Sequence, residues 1–374
     1  MTAPRVKGWC PGAYRPMMAA DGLVVRIRPR LAQLDAQAAL GLCDLALRYG
    51  QGALELTNRA NLQIRGVTAD DHEALLKELN GLGLLDADPV AEGRRNILVT
   101  PFWQQGDETD QIAQTLMANL SKLPDLPAKF GFSVDCGPAP VLQADSADIR
   151  IERGKSGLIL RADGMAAGRL VDVNTVMPAV IELADWLAVR VTTKRRRMAD
   201  IVVADPLPRA WCDALPLPPA ARPIVGAGKT GAMIGAVFGH VDAAALAEVI
   251  QKQGLKAVRT TPWRMIYLSG GVMPDAADFI TTPDDPLMRV DACIGKPRCA
   301  MASVETRQLA RRLAPHVTGR LHVSGCEKGC ARKLPAQITL VGRNGAFDII
   351  RQGSVGDTPD TYAQSAEDIL AGAK

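Results

Sequence analysis

The sequence predicts an α+β fold in which the second half of the chain repeats the plan of the first. Residues 22–65 carry patterns in the order strand, helix, strand, strand, and residues 232–270 repeat that order. Placing Thr57 on Thr261 aligns the two copies at a constant offset of 204 residues. A proline-rich stretch at 204–223 separates the copies and is typical of an extended linker.

Each element of the two copies has its own signal. Alternating or continuous apolar runs predict the strands, and a helical period of apolar residues predicts the helices. In the first copy the strands are 22–27, 53–57 and 62–65, and the helix is 34–49. In the second copy the strands are 232–238, 258–263 and 265–270, and the helix is 243–252. Two such half-domains are expected to pair about a pseudo-twofold axis.

A second kind of module follows each copy. After the first copy we predict strands near 97–99, 132–134 and 158–160 and a helix at 176–191. The equivalent position after the second copy holds four closely spaced cysteines. The predicted organisation is a half-domain at 1–92, a flanking α/β module at 93–203, a linker at 204–230, a second half-domain at 231–285 and a second flanking module at 286–374.

Composition and charge restrict the class of protein. With 374 residues, 47% of them hydrophobic and 22% charged, the chain is typical of a soluble protein of two or three domains. It has no secretory signal pattern and no apolar stretch of about 18 residues, so we expect a cytoplasmic protein without a membrane partner.

Charge indicates the kind of ligand. A net charge of only +4 and 4% aromatic residues argue against a nucleic-acid partner. Local arginine clusters instead favour a small polyanionic ligand. The clusters are 26–30, 94–95, 194–197 and 311–312, and for 194–197 a solvated helix end is an equally good interpretation.

Four cysteines near the C-terminus carry the strongest functional signal. Cys293 and Cys299 form a C-x5-C pair, Cys326 and Cys330 form a C-x3-C pair, and a 26-residue segment predicted to carry a helix and a strand separates the pairs. Four soft thiolates suit an iron–sulfur cluster, and the spacing differs from the ferredoxin and the usual zinc patterns. A zinc site or four unrelated buried cysteines are the alternatives.

The residues around these cysteines are small. Gly295, Gly325 and Gly329 predict tight loops whose backbone N–H groups can point at sulfur. The remaining cysteines show no paired spacing and are predicted to be free thiols, most of them buried; they are Cys10, Cys43, Cys136 and Cys212.

The duplicated plan and the cysteine quartet resemble the siroheme-dependent nitrite and sulfite reductase superfamily over nearly the whole chain. The resemblance implies a nitrite/sulfite reductase-like fold, with two paired ferredoxin-like half-domains and two flanking α/β modules. It also implies a [4Fe–4S] cluster ligated by Cys293, Cys299, Cys326 and Cys330, with Cys330 next to a tetrapyrrole pocket.

The resemblance extends to the tetrapyrrole side of that site. Residues 57–66, TNRANLQIRG, are similar to the superfamily's R-Q-N-x-Q-x-[RH] segment, and an arginine–asparagine pair and a lysine match in the first flanking module. The residues implied to bind the tetrapyrrole are Arg59, Asn61, Gln63, Arg65, Arg95, Asn96 and Lys129. An ordinary surface charge is the alternative for each cationic member.

Two departures bear on the reaction. The superfamily's second active-site lysine falls on Gly131, and an arginine that usually precedes residues 57–66 is replaced by the run at 54–56. Because such cations bind the oxyanion and supply protons, their loss argues against oxyanion reduction. The start Gly8-Trp-Cys-Pro-Gly12 favours a branch that resembles a monooxygenase, which would hydroxylate precorrin-3A at C20 and close a γ-lactone.

The alternatives and cofactors follow from that branch. A siroheme-dependent sulfite or nitrite reductase is the alternative, and siroheme is expected only in that case; a non-catalytic iron–sulfur or zinc scaffold is the third hypothesis. The monooxygenase is expected to use dioxygen and an external electron donor, since no G-x-G-x-x-G follows a strand.

The branch is also expected to use a second, mononuclear non-haem iron. Two histidines and a carboxylate are its usual ligands. The chain has four histidines, His72, His240, His316 and His322. His322 is the best candidate, although a core histidine or one that orients another ligand is the more favoured interpretation. The ligands of this iron and the residue that activates dioxygen stay unassigned.

Overall fold

The computed structural model describes residues 11–373. Residues 8–10 of the run that favours the monooxygenase branch, Cys10 among them, therefore lie outside the described residues. These residues form four five-stranded sheets. The first half-domain contains β1 (Met17–Ala19), β2 (Gly22–Ile27), β3 (Gln33–Asp35), α1 (Ala36–Tyr49), β4 (Ala53–Leu56), β5 (Leu62–Val67) and α2 (His72–Gly81). The predicted helix at 34–49 begins at Ala36 instead, because Leu34 belongs to β3 and the Asp35 carboxylate accepts from the Ala38 N–H at 2.8 Å.

The first flanking module has a mixed sheet in the order β10-β9-β8-β7-β6. Its elements are α3 (Pro89–Arg94), β6 (Ile97–Val99), α4 (Glu108–Ala118), β7 (Phe132–Asp135), β8 (Ile149–Gly154), β9 (Gly157–Ala162), β10 (Arg169–Val171), α5 (Val176–Ala188) and α6 (Met198–Ala204). Strands β6, β7 and β8 are parallel, and β9 and β10 continue the sheet antiparallel.

The second half repeats both modules. The half-domain contains β11 (Gly226–Gly228), β12 (Gly231–Gly235), β13 (His240–Asp242), α7 (Ala243–Gln253), β14 (Ala257–Thr260) and β15 (Met265–Ser269). The flanking module contains β16 (Val290–Ala292), α8 (Arg307–Leu313), β17 (Leu321–Ser324), β18 (Ala336–Arg343), β19 (Ala346–Gly353), β20 (Thr361–Gln364) and α9 (Ala366–Gly372). Its sheet, β16-β17-β18-β19-β20, has three parallel strands followed by two antiparallel ones, as in the first flanking module.

The two half-domains exchange a strand. The first sheet has the order β1-β2-β5-β4-β13 and the second has the order β11-β12-β15-β14-β3, so each sheet is completed by a short strand from the other half. Behind both sheets α1 packs on α7, and the two halves share one apolar core. The predicted α+β fold with paired half-domains is confirmed.

The duplication reaches individual backbone angles. Ala60 and Arg264, which are 204 residues apart, have φ values of 54° and 59°. The Thr57 and Thr261 hydroxyls each accept from the N–H two residues later at 3.3 Å. The strand predicted at 232–238 ends at Gly235, and it does not reach Phe238 because the φ of 60° at that residue belongs to a turn that no strand accommodates.

The proline-rich stretch contains a short 3-10 turn at Arg209–Trp211 and packs against the first flanking module. The Leu217 N–H donates to the Arg153 carbonyl at 2.9 Å, and the Lys155 N–H donates to the Leu215 carbonyl at 3.0 Å. Trp211 is buried in the core of the first flanking module. The stretch therefore belongs to the packed surface of that module. Among residues 11–373, no helix has the length and apolar character needed to cross a bilayer.

Candidate cysteine cluster site and the polar face opposite it

Sheet topology brings the two cysteine pairs together. Strands β16 and β17 are parallel neighbours, with Val290 in register with Leu321. Cys293 directly follows β16, and Cys326 lies two residues beyond β17. Because the carboxyl ends of parallel strands meet at one edge of a sheet, both loops emerge at the same place. The Gly325 N–H closes the contact by donating to the Cys293 Sγ at 3.1 Å.

The four thiols are close enough that their charges raise the pKa values of Cys326 and Cys330. Partial removal from water is the main cause that raises the pKa of the Cys330 thiol, and the charges of Cys293, Cys326 and Cys299 raise it further. Burial likewise raises the pKa of Cys326, followed by the charges of Cys299 and Cys293. Four mutually repelling thiolates suit a cationic centre that neutralises them.

Glycines shape the loops around the sulfur atoms. A Cβ on Gly295, whose φ is +66°, would lie 2.6 Å from the Thr306 Oγ1, and a Cβ on Gly325 would lie 2.7 Å from the Ala302 Cβ. The backbone can pass this closely only without side chains. The chemistry of the donors and the small-residue cradle fit a thiolate-bound cluster, and the ligand assignment itself stays a prediction.

A polar face of the first sheet lies opposite these loops. Across its strands the register pairs Arg26 with Gln63, Gln63 with Glu55, and Glu55 with His240. Directly opposed residues of antiparallel strands project from the same side of the sheet, so these four side chains form one row. The alternate residues of the same strands are apolar and lie in the shared core.

The polar face contacts the cysteine-bearing module at two points. Arg65 donates to the carbonyl of Arg298, which lies between the first two cysteines, at 3.2 Å, while its guanidinium pairs with Asp21 at 2.9 Å. Arg307, the first residue of α8, donates to both carboxylate oxygens of Glu55 at 2.7 and 2.8 Å. The polar face and the cysteine-bearing module are therefore joined directly.

Glu55 is the centre of a buried charged group. Burial by itself would raise the pKa of Glu55, but the hydrogen bonds and charge of Arg307, with His240 Nδ1 at 3.1 Å, lower it to about 2. Burial lowers the pKa of Arg307, but the hydrogen bonds and charge of Glu55 raise it by more. The charge of the Cys293 thiolate raises it further. This ion pair thus connects the sheet electrostatically to a predicted cluster ligand.

Sequence reasoning did not find this group. In the sequence, Glu55 stands out only because the run at 54–56 replaces an arginine, His240 is one of four histidines, and Arg307 belongs to no motif. A single carboxylate inside the otherwise apolar strand β4 was the available signal, because a charge there needs a partner. Its partners lie 185 and 252 residues further along the chain.

The structure brings some of the predicted tetrapyrrole-binding residues together. Arg59, in the turn after β4, donates to the Lys129 carbonyl at 3.1 Å, and the Lys129 side chain is exposed. Gln63 and Arg65 lie on the polar face. Asn61 is buried. Their roles stay predictions.

Arg95 and Asn96 are engaged within the protein. Arg95 is buried and its guanidinium binds Asp86 through Nε at 2.9 Å and Nη2 at 2.8 Å. The Asn96 amide donates to the Phe130 carbonyl at 2.8 Å. Arg95 thus joins the first half-domain to the first flanking module, Asn96 makes a contact within that module, and a further role of either in binding the tetrapyrrole stays a prediction.

The packing at Gly131 explains the absent lysine. A Cβ on Gly131 would lie 2.6 Å from the Asn96 Nδ2 and 3.1 Å from the Asn96 carbonyl oxygen. The Gly131 N–H also donates to the buried Asp148 carboxylate at 3.0 Å. A lysine would require this corner to move, so the departure from the reductase pattern is part of the local packing.

The histidines occupy different environments. His72 contacts the Ala13 carbonyl at 2.9 Å through Nε2. His322 is fully buried on β17, neither ring nitrogen has a hydrogen-bond partner among the described residues, and burial lowers its pKa to about 4. No group of three or more His, Cys, Asp or Glu side chains within residues 11–373 has an arrangement that could hold a single metal ion.

The buried imidazole predicts a pH dependence of stability. As pH falls from 6.5 to about 4, the unfolded chain binds a proton at His322 that the folded chain does not, so folding weakens. The expected loss is on the order of 3 kcal/mol in the free energy of unfolding. Urea unfolding at pH 7 and pH 4.5 should show a smaller pH effect in His322→Leu than in the exposed control His316→Gln. Equal pH effects would contradict this account.

Comparison with known proteins first defines the class. The nitrite/sulfite reductase ferredoxin-like half domain matches residues 15–82. The solved structure of the Mycobacterium tuberculosis NirA protein superposes with a TM-score of 0.67 at 18% identity, covering 93% of this chain and 79% of that one. The chain therefore has the nitrite and sulfite reductase fold.

Sequence comparison then separates the branches. The chain is 29% identical to a precorrin-3B synthase from Sinorhizobium sp, covering 95% of this chain and 85% of the relative. It is 24% identical to a ferredoxin–nitrite reductase from Synechococcus elongatus, covering 89% of this chain and 78% of that relative. The resemblance indicated by the sequence is confirmed, and the match to the synthase is the stronger of the two.

Proposed function

We propose that the chain is an oxygen-dependent monooxygenase that converts precorrin-3A to precorrin-3B, by hydroxylation at C20 and γ-lactone formation, in aerobic cobalamin biosynthesis. The supporting observation is the similarity to a precorrin-3B synthase across 95% of the chain. Gly131 adds a second supporting observation. The packing around it leaves no room for the lysine that oxyanion reduction would use.

The four cysteines are proposed to hold a [4Fe–4S] cluster. When bound, such a cluster would supply single electrons received from an external donor. Cys293, Cys299, Cys326 and Cys330 would each bind one iron, and four separate irons place their ligands farther apart than one ion does. The Gly325 N–H, which donates to the Cys293 Sγ, would stabilise thiolate charge. For a mononuclear iron, the described residues offer no three-ligand group, and no residue is assigned to it.

The substrate is proposed to bind between the polar face and the cysteine loops. Precorrin-3A carries a rim of acetate and propionate groups, and the cations around this cleft suit carboxylates. Each charge-assisted hydrogen bond contributes about 1.5–3 kcal/mol. Arg59, Arg65 and Lys129 are the proposed contacts. Glu55 would not repel this acidic substrate, because the Arg307 guanidinium neutralises it.

Purification without oxygen tests the proposal. Four irons and four sulfides per chain, no siroheme bands, and conversion of precorrin-3A on addition of dioxygen and a reductant are expected. Strong siroheme bands with sulfite or nitrite reduction would favour the alternative reductase. Zinc in place of iron, with no turnover, would contradict both functions.

Lys129→Ala should separate substrate binding from cluster assembly. The ammonium group is exposed and far in sequence from the cysteines, so the variant should keep its iron–sulfur absorption. Loss of one charge-assisted contact should weaken precorrin-3A binding by roughly tenfold or more, measured by equilibrium titration. Lys122→Ala, which removes another exposed lysine of the same module, is the matched control. Equal affinities of the two variants would exclude Lys129 from the site.

A further inference from the structure

One buried carboxylate beside the cysteine quartet holds three arginines. Asp291, on β16, contacts Arg264 at 3.1 Å, Arg320 at 3.3 Å and Arg332 at 3.4 Å. Asp291 is only 7% exposed. One negative charge therefore serves three guanidinium groups, and the group as a whole carries two positive charges in excess.

This excess charge is partly withdrawn from water. Desolvation lowers the pKa of Arg264; Asp291 opposes that effect, and the charges of Arg320, Arg332 and Arg222 add to it. The three arginine side chains still expose 26%, 41% and 19% of their surface, so an anion from solvent can reach them. Half-buried positive charge in excess of its counterion is unfavourable, and a bound anion would relieve it.

A polar side chain without a partner lies in the same place. His322 is in register with Asp291 across the parallel strands β16 and β17, so both side chains project from the same side of the sheet. The imidazole is fully buried, and neither ring nitrogen has a partner among the described residues. Each nitrogen can make one hydrogen bond to a ligand or a bound water.

The three arginines come from different segments around β16, and Arg320 directly precedes β17. Asp291 lies two residues before Cys293, and Arg332 lies two residues after Cys330. Arg264 comes from the turn between β14 and β15 of the second half-domain and also donates to the Val290 carbonyl at 2.8 Å. The group thus spans the boundary between a half-domain and the cysteine-bearing module.

We propose that Arg264, Arg320 and Arg332 form a carboxylate-binding site for one ring of the tetrapyrrole, an inference that rests on the proposed function. The acetate and propionate of one pyrrole ring supply two negative charges, which equal the two in excess on the arginines. The planar guanidinium fork matches a carboxylate, as its contacts with Asp291 already illustrate. No bond is made or broken in this step.

The test uses uroporphyrin, whose four rings each carry one acetate and one propionate, as the probe. Its dissociation constant is measured by fluorescence titration of the anaerobically purified full chain. Arg320→Gln and Arg332→Gln should each raise the constant about tenfold or more, and Arg320→Lys should recover part of the loss because it restores the charge without the fork. Arg351→Gln, at an exposed arginine of β19, is the matched control and should bind like the wild type.

The outcomes distinguish this inference from the proposed function. If the wild type binds neither uroporphyrin nor precorrin-3A, the proposed function fails and this site fails with it. If the wild type binds and all four variants bind equally well, only the arginine assignment is overturned. If inorganic phosphate raises the melting temperature of the wild type but not of Arg320→Gln, while uroporphyrin binding is unchanged, the site binds a free oxyanion instead. Circular dichroism and iron content check that each variant is folded.

Discussion

Cys330→Ser is expected to abolish both the iron–sulfur absorption and the turnover of precorrin-3A. The four thiols share one environment, in which the charges of the other three already raise the pKa of Cys330. Removing one leaves one iron of the proposed cluster without its soft ligand, and a serine oxygen is a poor substitute. The measurement is the visible absorption spectrum with iron and sulfide analysis of the variant purified without oxygen.

The control for this result is a cysteine that does not belong to the quartet. Cys212 is half-buried and lies in the linker, outside the quartet. Cys212→Ser should therefore keep the full absorption and activity. A complete [4Fe–4S] spectrum in Cys330→Ser would show that the ligand assignment is wrong, and loss of the spectrum in both variants would indicate general instability.

The second large effect is expected at Glu55. Glu55→Gln leaves the guanidinium of Arg307 without its counterion at the contact between the first half-domain and the cysteine-bearing module. Breaking a buried ion pair costs about 3–5 kcal/mol in the free energy of unfolding. Urea unfolding at pH 7 measures the loss. Glu78→Gln, which breaks an exposed pair with Arg48, is the matched control and should cost no more than about 1 kcal/mol.

The pH dependence and the double variant sharpen this prediction. The pKa of Glu55 is lowered from 4.5 to about 2, so its contribution is complete above pH 4.5 and disappears as the pH falls through about 2. Glu55→Gln combined with Arg307→Met removes both charges and should recover part of the lost stability. A double variant that loses the sum of the two single effects would show that the residues do not interact.

The sequence was sufficient for features that local patterns encode. Strand β2 and strand β6 lie where alternation and apolar runs predicted them, and the alignment of Thr57 with Thr261 is matched by equivalent turns. The cysteine pairs were recognisable because ligand spacing is itself a local pattern. The family resemblance then supplied the fold.

Long-range pairing was not predictable in the same way. Strands β3 and β13 are three residues long, too short for a periodic signal, and each is stabilised by a partner strand in the other half. Arg95 shows the same limit for side chains. A sequence pattern identifies an arginine, but only the fold reveals that Asp86 already occupies its guanidinium.

The strand exchange between the half-domains has an evolutionary consequence. Two identical chains with this exchange would form a symmetric, strand-swapped homodimer, in which every residue of one site recurs in the other. Joining the copies in a single chain makes their association independent of concentration and frees each copy to diverge. The cysteine quartet illustrates that freedom, since the first flanking module contains a single cysteine, Cys136. A symmetric ancestor could thus yield one asymmetric catalytic cleft.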